Sequence, residues 1–223
     1  MNVGIRQPFF FRFFNKRYLT CKIPNQEQTI FLTFDDGPVP EVTPEVLKIL
    51  ERRSTKATFF CLGENVKKYP ELFQRILTAG HSIGNHSFTH LNGWKTPTRQ
   101  YFENVMHCNE YFTTSLFRPP YGRFSISQYR ILRKHFHFIL WSVLSRDYKP
   151  EVTPDQCFDN VLRYTISGSI IVFHDSLKAK EKVLFALPRF IDQFLEKGFR
   201  FGVIPYNSKG PPHQQNYNIY HPR

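Results

Sequence analysis

The sequence predicts an α/β fold, a single domain of about seven β/α units with parallel strands. Three observations predict it. Short β-branched or aromatic runs alternate with segments of helical periodicity, which implies parallel pairing through helical crossovers. The length of 223 residues suits one domain. The polar residues that interrupt the apolar pattern each follow a strand-like run. On a parallel barrel the C-terminal ends of the strands converge on one rim, so such residues become neighbours.

The elements follow in order. Residues Thr29 to Phe34 form a buried strand that Gly37-Pro38 breaks. Thr43-Pro44-Glu45 opens a helix with Thr43 as N-cap, and Val46, Leu47, Ile49 and Leu50 give it an apolar face. Ala57 to Leu62 is a second strand. Residues 70–79 form a helix with Leu72, Phe73, Ile76 and Leu77 inward, closed by Gly80. Ser82 to Gly84 is a short strand, and residues 97–115 a helix. Phe117 leads into the loop Arg118-Pro119-Pro120-Tyr121-Gly122. A helix over 125–134, a strand over 136–143 and a helix over 154–165 come next. Ser169 to Phe173 is a β-branched strand, 181–196 a helix ending before Gly198, and 201–204 a final strand. The domain spans 28–206. A basic aromatic segment, 1–27, precedes it. A tail, 207–223, with no apolar period is expected to be disordered.

Composition narrows the class. Hydrophobic residues are 41% of the chain and include 24 Phe, which excludes a wholly disordered protein. Cys21, Cys61, Cys108 and Cys157 are far apart and form no C-x-x-C, which suits free thiols in a reducing compartment. No apolar run is long enough to span a membrane. The net charge is +12, and residues 1–26 carry Arg6, Arg12, Lys16, Arg17 and Lys22 with no acid. A basic surface favours anionic polymers, but no nucleic-acid motif accompanies it, so no nucleic-acid partner is expected. In the stretch Phe9 to Tyr18, Arg12 interrupts the aromatics and no A-x-A site follows, unlike a signal peptide. Residues 5–18 either pack their Phe side chains on the domain or make peripheral membrane contact as an amphipathic helix. The expected location is cytoplasmic or peripheral at a membrane.

The chemistry concentrates at the strand ends. Asp35 and Asp36 close the first strand, and two like charges there are costly unless a cation sits between them or one carboxyl titrates upward. The plain alternative is a solvated or helix-capping pair. His86 and His90 are four residues apart, and on one helical turn they would share a face and grip one metal ion. Two imidazoles and one carboxylate leave coordination positions open, which suits a catalytic metal and frees the second carboxylate as a base. Arg118 precedes two prolines that would fix its guanidinium. His174 ends an apolar strand beside Asp175, with Asp147 on a nearby strand end, and fits a general acid held by a carboxylate. Each has a plainer reading: surface histidines, a turn arginine, a core histidine.

Thr33-Phe34-Asp35-Asp36-Gly37-Pro38, His86-Ser87-Phe88-Thr89-His90, Arg118-Pro119-Pro120-Tyr121-Gly122 and Val172-Phe173-His174-Asp175 stand in a telling order and spacing. Together they resemble the polysaccharide deacetylases, the NodB-homology domain of carbohydrate esterase family 4, over about residues 28–205. The resemblance implies a distorted (β/α) barrel, usually of seven units. It implies a metal-dependent hydrolase that removes N-acetyl groups from N-acetylglucosamine-type poly- or oligosaccharides, or from a sugar precursor, and releases acetate. On it, Asp36, His86 and His90 would hold a divalent metal, zinc or else Co, Ni, Fe or Mn. Asp35 would be the base that takes a proton from the attacking water, held by Arg118. The Tyr121 N–H would help stabilise the oxyanion. His174, oriented by Asp147, would protonate the leaving amine. Pro119, Trp141, Tyr148 and Val172 would wall the substrate pocket. Leu144 and Tyr148 stand where the fourth motif often has Asp and Trp, and Val172 replaces a common Leu. These departures, with the absence of the usual secretion signal, leave room for an intracellular amino sugar or a lipid-linked precursor. Two other functions are compatible with the scaffold: a catalytically silent sugar-binding module, and an amidase on a small non-sugar amide.

Overall fold

The strand Thr29–Asp35 sets the architecture, because every residue after Thr29 is buried. Burial on both faces is what a parallel strand with helices outside and a packed interior requires. Ile30, Leu32 and Phe34 point toward the helices, where Phe34 stacks between Phe59 and Phe173. Phe31 points the other way, into a small inner cluster with Phe60, Leu116, Ile139 and Ile170. Thr33 and Asp35 share that inner face by the two-residue period of the strand.

The computed structural model describes residues 18–25 and 27–205. Among the described residues nine strands form one parallel sheet: β1 Leu19–Thr20, β2 Thr29–Asp35, β3 Thr58–Cys61, β4 Ser82–Asn85, β5 Leu116–Phe117, β6 His137–Ile139, β7 Val143–Leu144, β8 Ile170–His174 and β9 Arg200–Gly202. Their order is β1-β6-β5-β4-β3-β2-β8-β7, with β9 on the start of β2. Helices α1 Thr43–Arg52, α2 Gly63–Lys68, α3 Pro70–Thr78, α4 Thr98–His107, α5 Ile126–Leu132, α6 Pro154–Tyr164 and α7 Lys180–Glu196 cover the outside. The sheet curls into a distorted barrel, as the sequence predicts. Among the described residues no ladder joins β7 to β1 or β6, so one seam stays open.

Helix packing divides in two. One cluster joins β2, β3 and β8 to α1, α3, α6 and α7. The other joins β5 and β6 to α4 and α5 through Tyr101, Val105, Phe117, Tyr129, Leu132 and Phe138. Leu19 and Thr20 pair with Phe138 and Ile139, so the sheet takes in a short piece of the N-terminal segment. The rest of that segment through residue 17, with its membrane-contact expectation, and the tail from 206 lie outside the described residues.

Several local expectations change. Residues 136–143 form two strands, because β6 pairs with β5 and β1 while β7 pairs with β8. The chain crosses between them at Leu140–Ser142, with the Trp141 ring against Gly122; a Cβ there would lie 2.7 Å from the indole. Thr43 is the first residue of α1 and not its cap, since its hydroxyl accepts the Val39 N–H and donates to Asp175. The helix expected over 97–115 stops at His107 and tightens into a 3₁₀ turn, Cys108–Glu110. The short helix α2 has no counterpart in the sequence reading. Cys61, Cys108 and Cys157 are buried free thiols, in keeping with their spacing.

Candidate active site

Strand register builds the site. Asp35 of β2 lies opposite His174 of β8 in a parallel ladder, so the two side chains leave the sheet side by side. Asn85 of β4 lies opposite Phe117 of β5, and the next residues on each chain are His86 and Arg118. Backbone bonds continue past the strand ends: His86 N–H to Cys61 O, Arg118 N–H to Asn85 O, and Asp175 N–H to Asp35 O. Residues far apart in sequence are therefore fixed on one rim.

Arg118 is fully buried, unlike a turn arginine. Its Nη1 donates to Asp35 Oδ1 at 2.6 Å and to Thr33 Oγ1 at 2.7 Å. Its Nε donates to Ile139 O at 3.1 Å and its Nη2 to Leu140 O at 3.2 Å, and the guanidinium lies 4.0 Å above the Phe60 ring. A charge so desolvated is stable only when paired and fully bonded. Replacing Arg118 with Leu leaves Asp35 buried without its cation. Urea unfolding should show a loss of about 3–5 kcal/mol; a loss under about 1 kcal/mol would argue against this dependence.

Asp36, His86 and His90 face one another. Their nearest ligand atoms all lie within 4.8 Å of one another. His90 Nε2 is 3.2 Å and His86 Nε2 3.6 Å from Asp36 Oδ1, yet that buried oxygen accepts no hydrogen bond. His86 Nδ1 is 2.7 Å from Arg118 O. A carbonyl can only accept, so Nδ1 carries the proton and Nε2 turns a lone pair toward Asp36. Burial holds His86 down at about 4, which keeps it neutral. Burial pushes the Asp36 carboxyl up, but His90, His174 and His86 together hold it well below the usual carboxylate range. A lone pair aimed at an orphaned carboxylate oxygen repels it unless a cation lies between them. One carboxylate, two imidazoles and a backbone acceptor behind one ring fit a divalent metal.

These histidines are not on a helix. Residues 86–90 form a loop with left-handed φ of 66° at Ser87 and 57° at His90. The loop is pinned by Asn85 Oδ1, which accepts the Ser87 N–H, and by Asn104 Oδ1, which accepts the Phe88 and Thr89 N–H groups. Asp36 is also left-handed, at φ 78°, with Asn65 donating to its carbonyl. Strained φ values at three such positions are the kind of backbone that clusters at functional sites.

His174 is held twice by Asp147. Its Nδ1 lies 2.7 Å from Asp147 Oδ1, and its backbone N–H donates to Oδ2 at 2.8 Å. Burial lowers the His174 pKa, but the Asp147 carboxylate, with Asp36 and Asp35 beyond it, raises it to about 9. Asp175 plays no part in holding His174. It is fully buried, accepts from Thr43 at 2.6 Å, and packs so closely on Gly37 that a Cβ there would overlap its carboxyl. Burial, reinforced by the charges of Asp36 and Asp35, pushes it up to about 7.

The rim opens into a cleft of about 810 Å³ that touches Asp35, Asp36, His86, His90 and His174. Residues 22–135 match the family model for polysaccharide deacetylases. The chain belongs to the polysaccharide deacetylase family. This deacetylase-family chain is 35% identical to a peptidoglycan-N-acetylglucosamine deacetylase of Bacillus cereus over 190 residues, 82% of this chain and 69% of the relative. It is 32% identical to a chitooligosaccharide deacetylase of Azorhizobium caulinodans, covering 74% of this chain and 82% of the relative. It superposes on the crystal structure of the Bc1960 peptidoglycan N-acetylglucosamine deacetylase, bound to 4-naphthalen-1-yl-N-oxidanyl-benzamide, with a TM-score of 0.81. Identity there is 33%, with 89% of this chain and 95% of the other covered.

The polysaccharide deacetylase cleft is walled by the residues expected from the sequence, Pro119, Tyr121, Trp141, Tyr148 and Val172, and also by Leu144. Tyr121 stands half-exposed at φ 59°, its ring edge-on to His90 at 4.6 Å. The Trp141 N–H is buried without a hydrogen-bond partner at this wall. Tyr148 packs edge-on to His174 at 4.9 Å. Sequence reasoning missed the positioning residues Thr33, Asn65, Asn85 and Asn104. Thr33 stands inside the first motif and Asn85 immediately before the second, and that placement was the available signal.

Proposed function

We propose that this protein is a metal-dependent N-deacetylase that hydrolyses the acetamide of N-acetylglucosamine-type sugars and releases acetate. One observation carries the reading: an arginine-held carboxylate, Asp35, and an aspartate-held imidazole, His174, stand side by side above the Asp36, His86 and His90 cluster. The printed activities of the Bacillus and Azorhizobium relatives support the sugar class. When bound there, a divalent metal, zinc on this donor set, supplies Lewis-acid polarisation of the amide carbonyl and acidifies water.

The chain's own residues supply the rest. Asp35 accepts the proton of the attacking water, with Arg118 fixing the carboxylate in place. The backbone N–H of Tyr121 donates to the developing oxyanion. His174, protonated at neutral pH, gives its Nε2 proton to the departing amine, while Asp147 holds the ring and stabilises the imidazolium. An amine leaves only when protonated, so a base and an acid on separate supports are both needed. Trp141, Leu144 and Val172 present an apolar wall suited to the acetyl methyl.

The test is acetate release from N-acetylglucosamine oligomers before and after chelation. Chelator-treated protein should lose activity by about a hundredfold or more and regain it with zinc. Its melting temperature should also fall and recover, since a ligand bound by the native state stabilises it. Undiminished acetate release without metal would defeat the reading, and release of ammonia instead of acetate would move it to an amidase.

A further inference from the structure

Trp94 is 54% exposed, in a turn that nothing in the chemistry described above uses. Single exposed apolar residues on a protein surface need no explanation. Ile166 and Leu195 are of that kind. Trp94 differs because the turn is built to hold it still. It lies in the 3₁₀ turn Gly93–Lys95, where Asn92 Oδ1 accepts its N–H at 3.1 Å and Thr96 Oγ1 donates to Asn92 O at 2.9 Å. Gln128, which is 1% exposed, donates to Gly93 O at 2.9 Å and Thr96 O at 3.0 Å. Gly93 is packed so tightly that a Cβ would lie 2.4 Å from Arg123 O.

The indole itself is oriented. Its Nε1 donates to Phe124 O at 3.2 Å, and the Arg123 guanidinium lies 4.9 Å from the ring centre. Arg123 and Tyr121 both line the reaction cleft, so Trp94 stands one side chain beyond its edge. The cleft wall that starts at His90 and Tyr121 thus includes an arginine that lies against a fixed, exposed indole. A pyranose ring presents a face of C–H bonds, which packs on an aromatic plane, and a rim of hydroxyls that accept from a guanidinium. Holding the ring in advance removes the ordering cost that a mobile side chain would impose on binding.

We propose that Trp94 and Arg123 form a second sugar-contact site, occupied by a residue of the same glycan next to or near the one undergoing reaction. The proposal rests on the N-deacetylase reading for the orientation of the glycan in the cleft, but not for the contact itself. It makes the protein a reader of chain length: a glycan long enough to reach Trp94 gains a contact that a short one lacks.

The experiment compares the full chain with Trp94→Ala on N-acetylglucosamine hexamer and dimer. KM for the hexamer should rise about tenfold, with kcat within about twofold of wild type. Both constants for the dimer should stay within about twofold. Trp94→Phe should recover most of the hexamer KM, and Arg123→Gln should repeat part of the loss. Calorimetric titration of the hexamer into each protein measures the same difference without turnover. If wild type releases no acetate yet binds hexamer more tightly than Trp94→Ala does, the N-deacetylase reading falls and the sugar contact stands. Equal losses on hexamer and dimer, an unchanged hexamer affinity in both Trp94→Ala and Arg123→Gln, or no hexamer binding by wild type would overturn it.

Discussion

Asp35→Asn should lower kcat by about a thousandfold while leaving one zinc ion bound per chain, whereas Asp36→Asn should lose zinc and turnover together. The asymmetry follows from what each carboxylate faces. Asp35 turns one oxygen to Arg118 at 2.6 Å, and the other is 4.0 Å from His86. Its amide analogue still accepts the Arg118 N–H but cannot take a proton. Asp36 presents an oxygen with no donor to two imidazoles, and Asn offers no anion there. Metal analysis of the purified variants beside initial rates of acetate release decides the matter. Zinc retained at full stoichiometry by Asp36→Asn, or wild-type turnover by Asp35→Asn, would refute the division of roles.

The second large effect belongs to Asp147→Asn. In the proposed reaction His174 must be protonated to act as the acid, and its pKa of about 9 keeps it so through neutral pH. Activity that depends on it is full below that value and falls as pH rises through it. Asn removes the nearest negative charge and presents an amide that can favour the wrong tautomer. In kcat/KM, the alkaline limb should move from about pH 9 toward about pH 7, with a loss of two to four orders of magnitude at the optimum. A variant with the wild-type limb would show that Asp147 does not govern His174. The same pair has a stability signature. A histidine whose folded pKa is raised from 6.5 to about 9 stabilises the fold fully below pH 6.5, and that stabilisation is lost as pH rises through 9.

The alternation of strand and helix was legible because β2, β3 and β8 are buried on both faces and α1, α3 and α7 carry an apolar stripe. The rim was legible because Asp35, His86, Arg118 and His174 each end or follow a strand. The finer geometry was not. His86 and His90 suggest a helical turn by spacing alone, but Asn85 and Asn104 satisfy the loop's N–H groups and let it take left-handed φ values instead. The residues alone offered both Asp147 and Asp175 beside His174, and the family resemblance pointed to Asp147; the β7–β8 pairing brings Asp147 to His174, while the Thr43 hydroxyl engages Asp175. A buried guanidinium cannot be told from a turn arginine in sequence, because its acceptors come from four distant residues. The aromatic run of residues 136–143 hid a break, since apolar content does not mark where a strand changes neighbours.

That break has a consequence for any attempt to regularise this protein. Two of the four acceptors of Arg118 are the carbonyls of Ile139 and Leu140, at the point where β6 ends and the chain leaves for β7. A tidier version, with residues 136–143 run on as one regular strand, would commit those carbonyls to ladder bonds with a neighbouring strand. The guanidinium would then lose half its anchors, and Asp35 would lose its fixed position. Redesign for regularity and retention of a steady carboxylate are therefore opposed here, and a stabilising variant should be sought in the helices, away from this break.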